Sequence, residues 1–494
     1  MASVEEDSPT FFPSDASDID HSFTSSASST SFATTVSGRS SLSLPSFSSS
    51  SALRALPHRS SDPHWSAVRA ASNLSPDGAL HLRHLRLLRH LGSGNLARVF
   101  HCRLRGFDAS SSSAADFALK VVDLDAVARA GGEPTKDAVD GGRLSHVRTE
   151  ARVLAELDHP FLPTLYARLD ASHYACFLID YCPGGDLHSV LRRSPGHRLP
   201  PNAVRFYAAE VLLALEYLHA LGFVYRDLKP ENVLLRADGH VMLSDFDLCF
   251  QSNVTPALLR QRSLRRRQKR PSTLSRRTCC FGGAQTSGDS DEEEDEEVEF
   301  VAEPEAAYSR ACVGTHEYLA PEVVNGNGHG NGVDWWAFGV FVYELLYGRT
   351  PFKGGSKEAT LRNILTQELR FPNVVPAAGD DVAAAKDLIS RLLVRDPQRR
   401  MGCARGAAEI KRHPFFEGIQ WPLIRCARPP VVFSPAGGAQ KRAAKEGRGK
   451  QQRWWGKWKW SSWNRTTKSI AANSNRGIKL VLGLKKKTKE KDGK

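Results

Sequence analysis

Two short segments near the middle of the chain constrain it most. Tyr225-Arg226-Asp227-Leu228-Lys229-Pro230-Glu231-Asn232 places a carboxylate, an ammonium and a carboxamide within six residues. Asp245-Phe246-Asp247 follows, with Asp245 thirteen positions after Asn232. Either segment alone could be a surface turn, because Asp and Asn are turn formers. Together they supply a proton acceptor, a cation and two hard oxygen ligands. Asp227 suits a base that takes a hydroxyl proton. Lys229 suits the stabilisation of charge on a transferred group. Asn232 and Asp245 suit Mg2+, which favours carboxylates completed by substrate phosphates.

Upstream, Gly92-Ser93-Gly94-Asn95-Leu96-Ala97-Arg98-Val99 lies between two apolar stretches that read as strands, Leu85–Leu91 and Ala97–Leu104. Glycines such as Gly92 and Gly94 let backbone N–H groups approach phosphates closely. The usual third glycine of such a loop is Ala97 here. A third strand, Phe117–Val122, carries Lys120, which can neutralise nucleotide phosphates. Ser145–Leu157 has helical spacing of apolar residues and carries Glu150, an ion-pair partner for that lysine. Downstream, Gly314-Thr315-His316-Glu317-Tyr318-Leu319-Ala320-Pro321-Glu322 precedes Asp334-Trp335-Trp336-Ala337-Phe338-Gly339. Arg400 is spaced to pair with Glu322. Long helices are expected over 203–221 and 333–347.

These motifs, over about residues 85–430, resemble the AGC class of Ser/Thr protein kinases. Asp247 where most kinases have Gly, and a long insertion before Gly314-Thr315, resemble the plant group that includes PINOID and the WAG kinases. The Pro63-His64-Trp65 approach is similar to the WAG members. The resemblance implies an α+β, two-lobed fold, with a β-rich N-lobe, a helical C-lobe and ATP with Mg2+ between them. It implies that Leu91, Val99, Ala118 and Leu234 sandwich adenine. Ile179 would be the gatekeeper and Asp180 to Cys182 the hinge. Leu154, Leu165, Tyr225 and Phe246 would stack as a spine. Asp186, Glu231, Glu344 and Thr315 would face a protein substrate, the three carboxylates favouring Arg or Lys before the phosphoacceptor. It further implies phosphorylation of auxin efflux carriers at the plasma membrane.

Three departures bear on regulation. Asp247 stands where a flexible Gly is usual, and Asp tolerates left-handed backbone better than most residues. Ala311 stands where AGC kinases commonly carry a phosphorylated Ser or Thr, leaving Ser309 as the nearest substitute. A C-terminal Phe-x-x-Phe motif is missing, since Phe433 is the last Phe. A catalytically weak pseudokinase scaffold is the rival reading, opposed by the survival of Lys120, Glu150, Asp227, Lys229, Asn232 and Asp245.

Composition divides the chain further. A third of the first sixty residues are Ser, so residues 1–75 are expected to be disordered. The kinase domain is expected over 85–416, with a mobile insertion at 251–307 of opposite charge blocks around Cys279-Cys280. A C-terminal extension is expected at 417–435 and a basic tail at 436–494. Residues 441–494 hold 18 Lys and Arg against 3 Asp and Glu, so the net charge of +13 belongs to the tail and the rest of the chain is near neutral. Arg453-Trp454-Trp455-Gly456-Lys457-Trp458-Lys459-Trp460 interleaves indoles with cations, which suits an anionic membrane surface. Nucleic acid is the disfavoured alternative. Nine scattered Cys without metal-ligand spacing argue for free thiols in a reducing compartment. Glu5, Glu6 and Asp7 without an apolar stretch are not the pattern of a secretory signal. The expected location is cytoplasmic, peripheral at the plasma membrane, with the nucleus as a second possibility.

Overall fold

The computed structural model describes residues 62–94, 97–106, 115–130, 142–171, 173–263, 295–372 and 380–430. Cys279-Cys280 and the Trp-rich tail lie outside the described residues.

The chain enters through α1 (Pro63–Asn73), in a region expected to be disordered. Serine content averaged over the first sixty residues concealed a local start signal. Asp62 caps the helix, its carboxylate accepting from His64 N at 2.9 Å, and Pro63 occupies the first turn. Trp65, Val68 and Ala71 fall on one face and pack against Leu85, Cys102, Leu104, Phe117 and Tyr166. The Trp65 and Tyr166 rings lie 5.2 Å apart. Tyr166 also donates its hydroxyl to Asp62 Oδ2 at 2.8 Å. The helix is therefore part of the folded domain.

The N-lobe is an antiparallel sheet in the order β1-β2-β3-β5-β4. Its strands are β1 (Leu85–Ser93), β2 (Ala97–Leu104), β3 (Asp116–Asp123), β4 (Leu165–Ala171) and β5 (Tyr174–Asp180). Between β3 and β4 run α2 (Leu124–Ala130) and α3 (Gly142–Glu156). α3 buries Val147, Glu150, Ala151, Val153 and Leu154. One charged residue thus sits in an otherwise apolar face.

The chain crosses to the second lobe after β5. β6 (Gly185–Asp186), β8 (Val233–Leu235) and β9 (Val241–Leu243) form a small sheet under the cleft. α4 (Leu187–Arg193) and α5 (Pro201–Ala220) precede β7 (Phe223–Val224), which pairs with β10 (Phe250–Gln251). The segment expected to be a mobile insertion is built into this lobe at both flanks. β11 (Ala257–Ser263) pairs with β12 (Asp295–Val301), and Val301, Glu303 and Ala307 are buried. Backbone pairing and the apolar residues at the base of the hairpin offset the ordering cost that the charge blocks alone could not.

α6 (Pro321–Val324) leads to α7 (Gly332–Tyr347), buried around nearly its whole circumference. Such a helix belongs at the centre of a lobe. A Cβ at Gly339 would lie 2.8 Å from Leu392 Cβ, so glycine permits the close approach of α9 (Asp380–Leu392). α8 (Lys357–Thr366) and α10 (Gly406–Lys411) complete the lobe. No described helix is long and apolar enough to cross a membrane.

Candidate active site

Register in the N-lobe sheet sets the upper half of the site. Val99 pairs with Lys120 across β2 and β3, and Ala118 pairs with Ile179 across β3 and β5. Leu91 stands partly exposed on β1, and Gly94 N donates to Ala97 O at 2.9 Å across the glycine turn. Leu234, on β8, forms part of the floor, opposite Met242. Cys182 follows β5 at the lobe crossing, with its Sγ 3.9 Å from Met242 Sδ. Asp180, read as a hinge residue, turns its carboxylate inward. It accepts from Thr164 N at 2.8 Å, lies 3.2 Å from Tyr166 Oη, and faces Arg236 at 3.4 Å. Its side chain thus braces the hinge, leaving only its backbone to face a nucleotide.

Lys120 crosses from β3 to two acids. Its ammonium donates to Glu150 on α3 and to Asp245 Oδ1 at 2.8 Å. Burial works to lower the Lys120 pKa, but the two carboxylates outweigh it and hold the amine protonated. Burial likewise works against the Asp245 anion, and Lys120 beside it brings its pKa below the usual value. Three elements from two lobes therefore meet on one cation.

The lower half is organised by Asp227. Lys229 Nζ donates to Asp227 Oδ2 at 2.6 Å, and Asn232 Nδ2 donates to the same oxygen at 2.9 Å. Thr315, expected at the substrate face, donates its hydroxyl to Asp227 Oδ1 at 2.9 Å and accepts from Lys229 at 3.0 Å. The loop's shape is held from below by Asp334 on α7. Asp334 Oδ2 accepts from Tyr225 N and Oδ1 from Arg226 N, both at 2.7 Å. Arg226 and Asp245 adopt left-handed backbone, φ 68° and 66°. Asp247 does not, contrary to the sequence-based expectation that its tolerance of that region would matter. The unusual conformation belongs to Asp245, two residues earlier. The Asp247 carboxyl is raised in pKa by burial and then by the neighbouring Asp245 charge.

Asn232 and Asp245 fit a hard divalent cation. Asn232 spends its NH2 on Asp227 O and Oδ2, and Asp245 retains a side chain 43% exposed toward the cleft. No group of three or more His, Cys, Asp or Glu able to hold a metal occurs among the described residues. A two-residue oxygen set of this kind suits Mg2+ completed by nucleotide phosphates, whose charge the ion would neutralise.

Of the four residues expected to stack as a spine, the Tyr225 and Phe246 rings lie 5.7 Å apart, while Leu154 is buried on α3 and Leu165 begins β4. Glu344 accepts from the Tyr318 hydroxyl, and its pKa is raised by burial and by the charge of nearby Glu231. Glu231 lies 3.3 Å from His188. Asp186 caps α4, accepting from Ser189 N at 2.6 Å. Arg400 pairs with Glu322 through both guanidinium nitrogens, at 2.7 and 2.8 Å. Ser309 Oγ accepts from Arg226 Nη1 at 3.1 Å, and its backbone exchanges two hydrogen bonds with His329. His219 and Glu303, which stand behind Asp334, carried no local sequence signal.

A glycine turn over the cleft, a strand lysine clamped to a helix glutamate, and a carboxylate ringed by Lys, Asn and Thr define a two-lobed phosphotransferase. The chain matches the protein kinase domain over residues 85–263 and 295–416. It is 56% identical over 434 residues to Serine/threonine-protein kinase WAG2 of Arabidopsis thaliana, covering 85% of this chain and 84% of that one. It is 57% identical over 375 residues to WAG1 of the same plant, covering 76% and 74%. It is 47% identical over 400 residues to Protein kinase PINOID of Oryza sativa subsp. japonica, covering 78% and 76%. The chain belongs to the protein kinase family, as a Ser/Thr kinase of the PINOID and WAG group. The pseudokinase reading is not supported.

Proposed function

We propose that this Ser/Thr kinase uses Mg2+ and ATP to phosphorylate protein hydroxyls near basic residues, with auxin efflux carriers as substrates in auxin transport. The observation that carries the nucleotide reading is the shared ammonium of Lys120, bonded to Glu150 and, at 2.8 Å, to Asp245. Phosphoryl transfer needs little covalent help from the protein, so positioned charge is the main requirement. Asp227 accepts the hydroxyl proton, and Lys229 beside it balances charge on the group in transit. Asp245 and Asn232 would hold the cation. The carrier assignment rests on the group to which the chain belongs.

Glu231 and Glu344 support a basic substrate, because burial and the nearby Glu231 charge raise the cost of ionising Glu344 until a cation arrives. The deciding measurement is ATP-dependent phosphorylation of a basic Ser peptide and of an efflux-carrier loop, wild type against Asp245→Ala. Incorporation should vanish in the variant, and equal incorporation by both would remove the reading.

Ser309 is the proposed activating phosphosite. A phosphate there would meet the Arg226 guanidinium, which already reaches its hydroxyl at 3.1 Å. Ser309→Ala should be less active than wild type after treatment with an upstream kinase, and equal activity would sink the assignment. Peripheral membrane attachment is proposed for the basic, Trp-rich tail from its composition alone. Sedimentation of the full chain with anionic vesicles tests it. Binding equal to that of a chain ending at residue 440 would exclude the tail.

A further inference from the structure

Glu303 lies two residues past the end of β12, yet it is only 6% exposed. Three elements supply donors to its carboxylate. Oε2 accepts from His219 Nδ1 on α5 at 2.7 Å and from Asn331 Nδ2, before α7, at 2.9 Å. Oε1 accepts from Ala407 N on α10 at 3.3 Å. The space exists because residue 406 is glycine: a Cβ there would come within 2.0 Å of Oε1.

His219 is fully buried, and its other nitrogen, Nε2, lies 2.9 Å from Asp334 Oδ2. That oxygen also receives Tyr225 N–H at 2.7 Å. Ionised carboxylates only accept, so an imidazole bonded to one through each nitrogen must donate from both, which requires the cation. Burial works against that cation, but Glu303 and Asp334 push its pKa up to about 10. Trp335 packs edge-on to the ring at 4.7 Å. Cys249 is a further titratable group near Asp334, and Arg226 meets Asp334 through its backbone N–H at 2.7 Å while its guanidinium reaches Leu248 O and Ser309 Oγ.

We infer that Glu303 is a positioning residue for phosphoryl transfer. By keeping His219 charged, it fixes Asp334 on the N–H groups of Tyr225 and Arg226, immediately before the catalytic base Asp227. The flank between β12 and α6 is thereby tied to the catalytic loop. Without Glu303, a neutral His219 would leave the buried Asp334 carboxylate without a counter-charge, which is costly.

Glu303→Gln tests this in the full chain. The amide is nearly isosteric and can donate to Nδ1 of a neutral His219, so the fold has a route to survive. Turnover and KM for ATP and for a basic Ser peptide would be measured from pH 6 to 9. With one of the two raising carboxylates gone and burial unchanged, His219 loses its proton within this range, whereas in wild type it keeps it. The variant should match wild type near pH 6 and fall about 10- to 100-fold in kcat by pH 9, with KM for ATP little changed. Asn331→Ala removes a neutral donor to the same oxygen and should leave the pH profile as in wild type. A Glu303→Gln profile parallel to wild type, or an Asn331→Ala profile with the same new pH dependence, would overturn the inference. If Glu303→Gln does not fold, NMR titration of His219 in wild type decides. A ring still protonated at pH 9 supports the assignment, and one titrating near pH 6.5 refutes it.

Discussion

The Thr315 hydroxyl sits between Asp227 Oδ1, at 2.9 Å, and Lys229 Nζ, at 3.0 Å. The segment that ends in Pro321-Glu322 therefore closes on Asp227, the proposed base, through a single oxygen. A hydrogen bond to a charged group contributes about 1.5–3 kcal/mol. Thr315→Ala should lower kcat about 10- to 100-fold, and Thr315→Ser should restore most of it. Steady-state kinetics with a basic Ser peptide would show this. An alanine variant as fast as wild type would mean that the contact does not survive into turnover.

Asp247 is spared left-handed backbone, and it faces His146 on α3 at 4.0 Å. Neither observation makes it a participant in the chemistry. Asp247→Gly should retain turnover while losing about 0.4–1 kcal/mol of stability through added freedom in the unfolded chain. Complete loss of activity, or a large gain, would contradict that.

Arg400 is buried against Glu322, bonds Gly332 O at 2.8 Å and lies over the Trp336 ring at 5.2 Å. Removing one partner of a buried pair strands the other charge. Arg400→Ala should cost about 3–5 kcal/mol in urea unfolding. Arg400→Lys should also be destabilised, because an ammonium cannot make the bidentate contact. A loss of under about 1 kcal/mol for alanine would show that water reaches the site.

Trp65 holds α1 to the N-lobe sheet through Tyr166 and its neighbours. Trp65→Ala should cost about 3–5 kcal/mol, as for other large core residues. Asp62→Ala should cost about 1–2 kcal/mol through the lost cap. Thermal unfolding of both variants would check the order, and a Trp65→Ala chain melting with wild type would mean that α1 does not stay docked in solution.

The parts of the site that were legible in the sequence are those whose spacing is local. Asp227, Lys229 and Asn232 lie on one turn of chain, and Asp245 follows the small sheet that β8 and β9 build. The strand with Lys120 and the helix with Glu150 were readable from periodicity, because alternation and 3.6-residue spacing are properties of adjacent residues. α1 was also locally signalled, by Asp62-Pro63 and the spacing of Trp65, Val68 and Ala71. Serine content drew attention away from it.

His219, Glu303 and Asp334 are different. Glu303 and Asp334 lie 84 and 115 positions from His219 along the chain, and the three meet only because α5, α7, α10 and the flank of β12 converge. The contact of Thr315 with Asp227 likewise joins residues 88 positions apart, and no local pattern announces it. By itself, then, the sequence determined which chemical groups this kinase possesses and where its strands and helices run. Only the tertiary structure decided which charges are buried and which partner each one keeps. Desolvation and pairing depend on every neighbour in space, and most of those neighbours are remote in the chain.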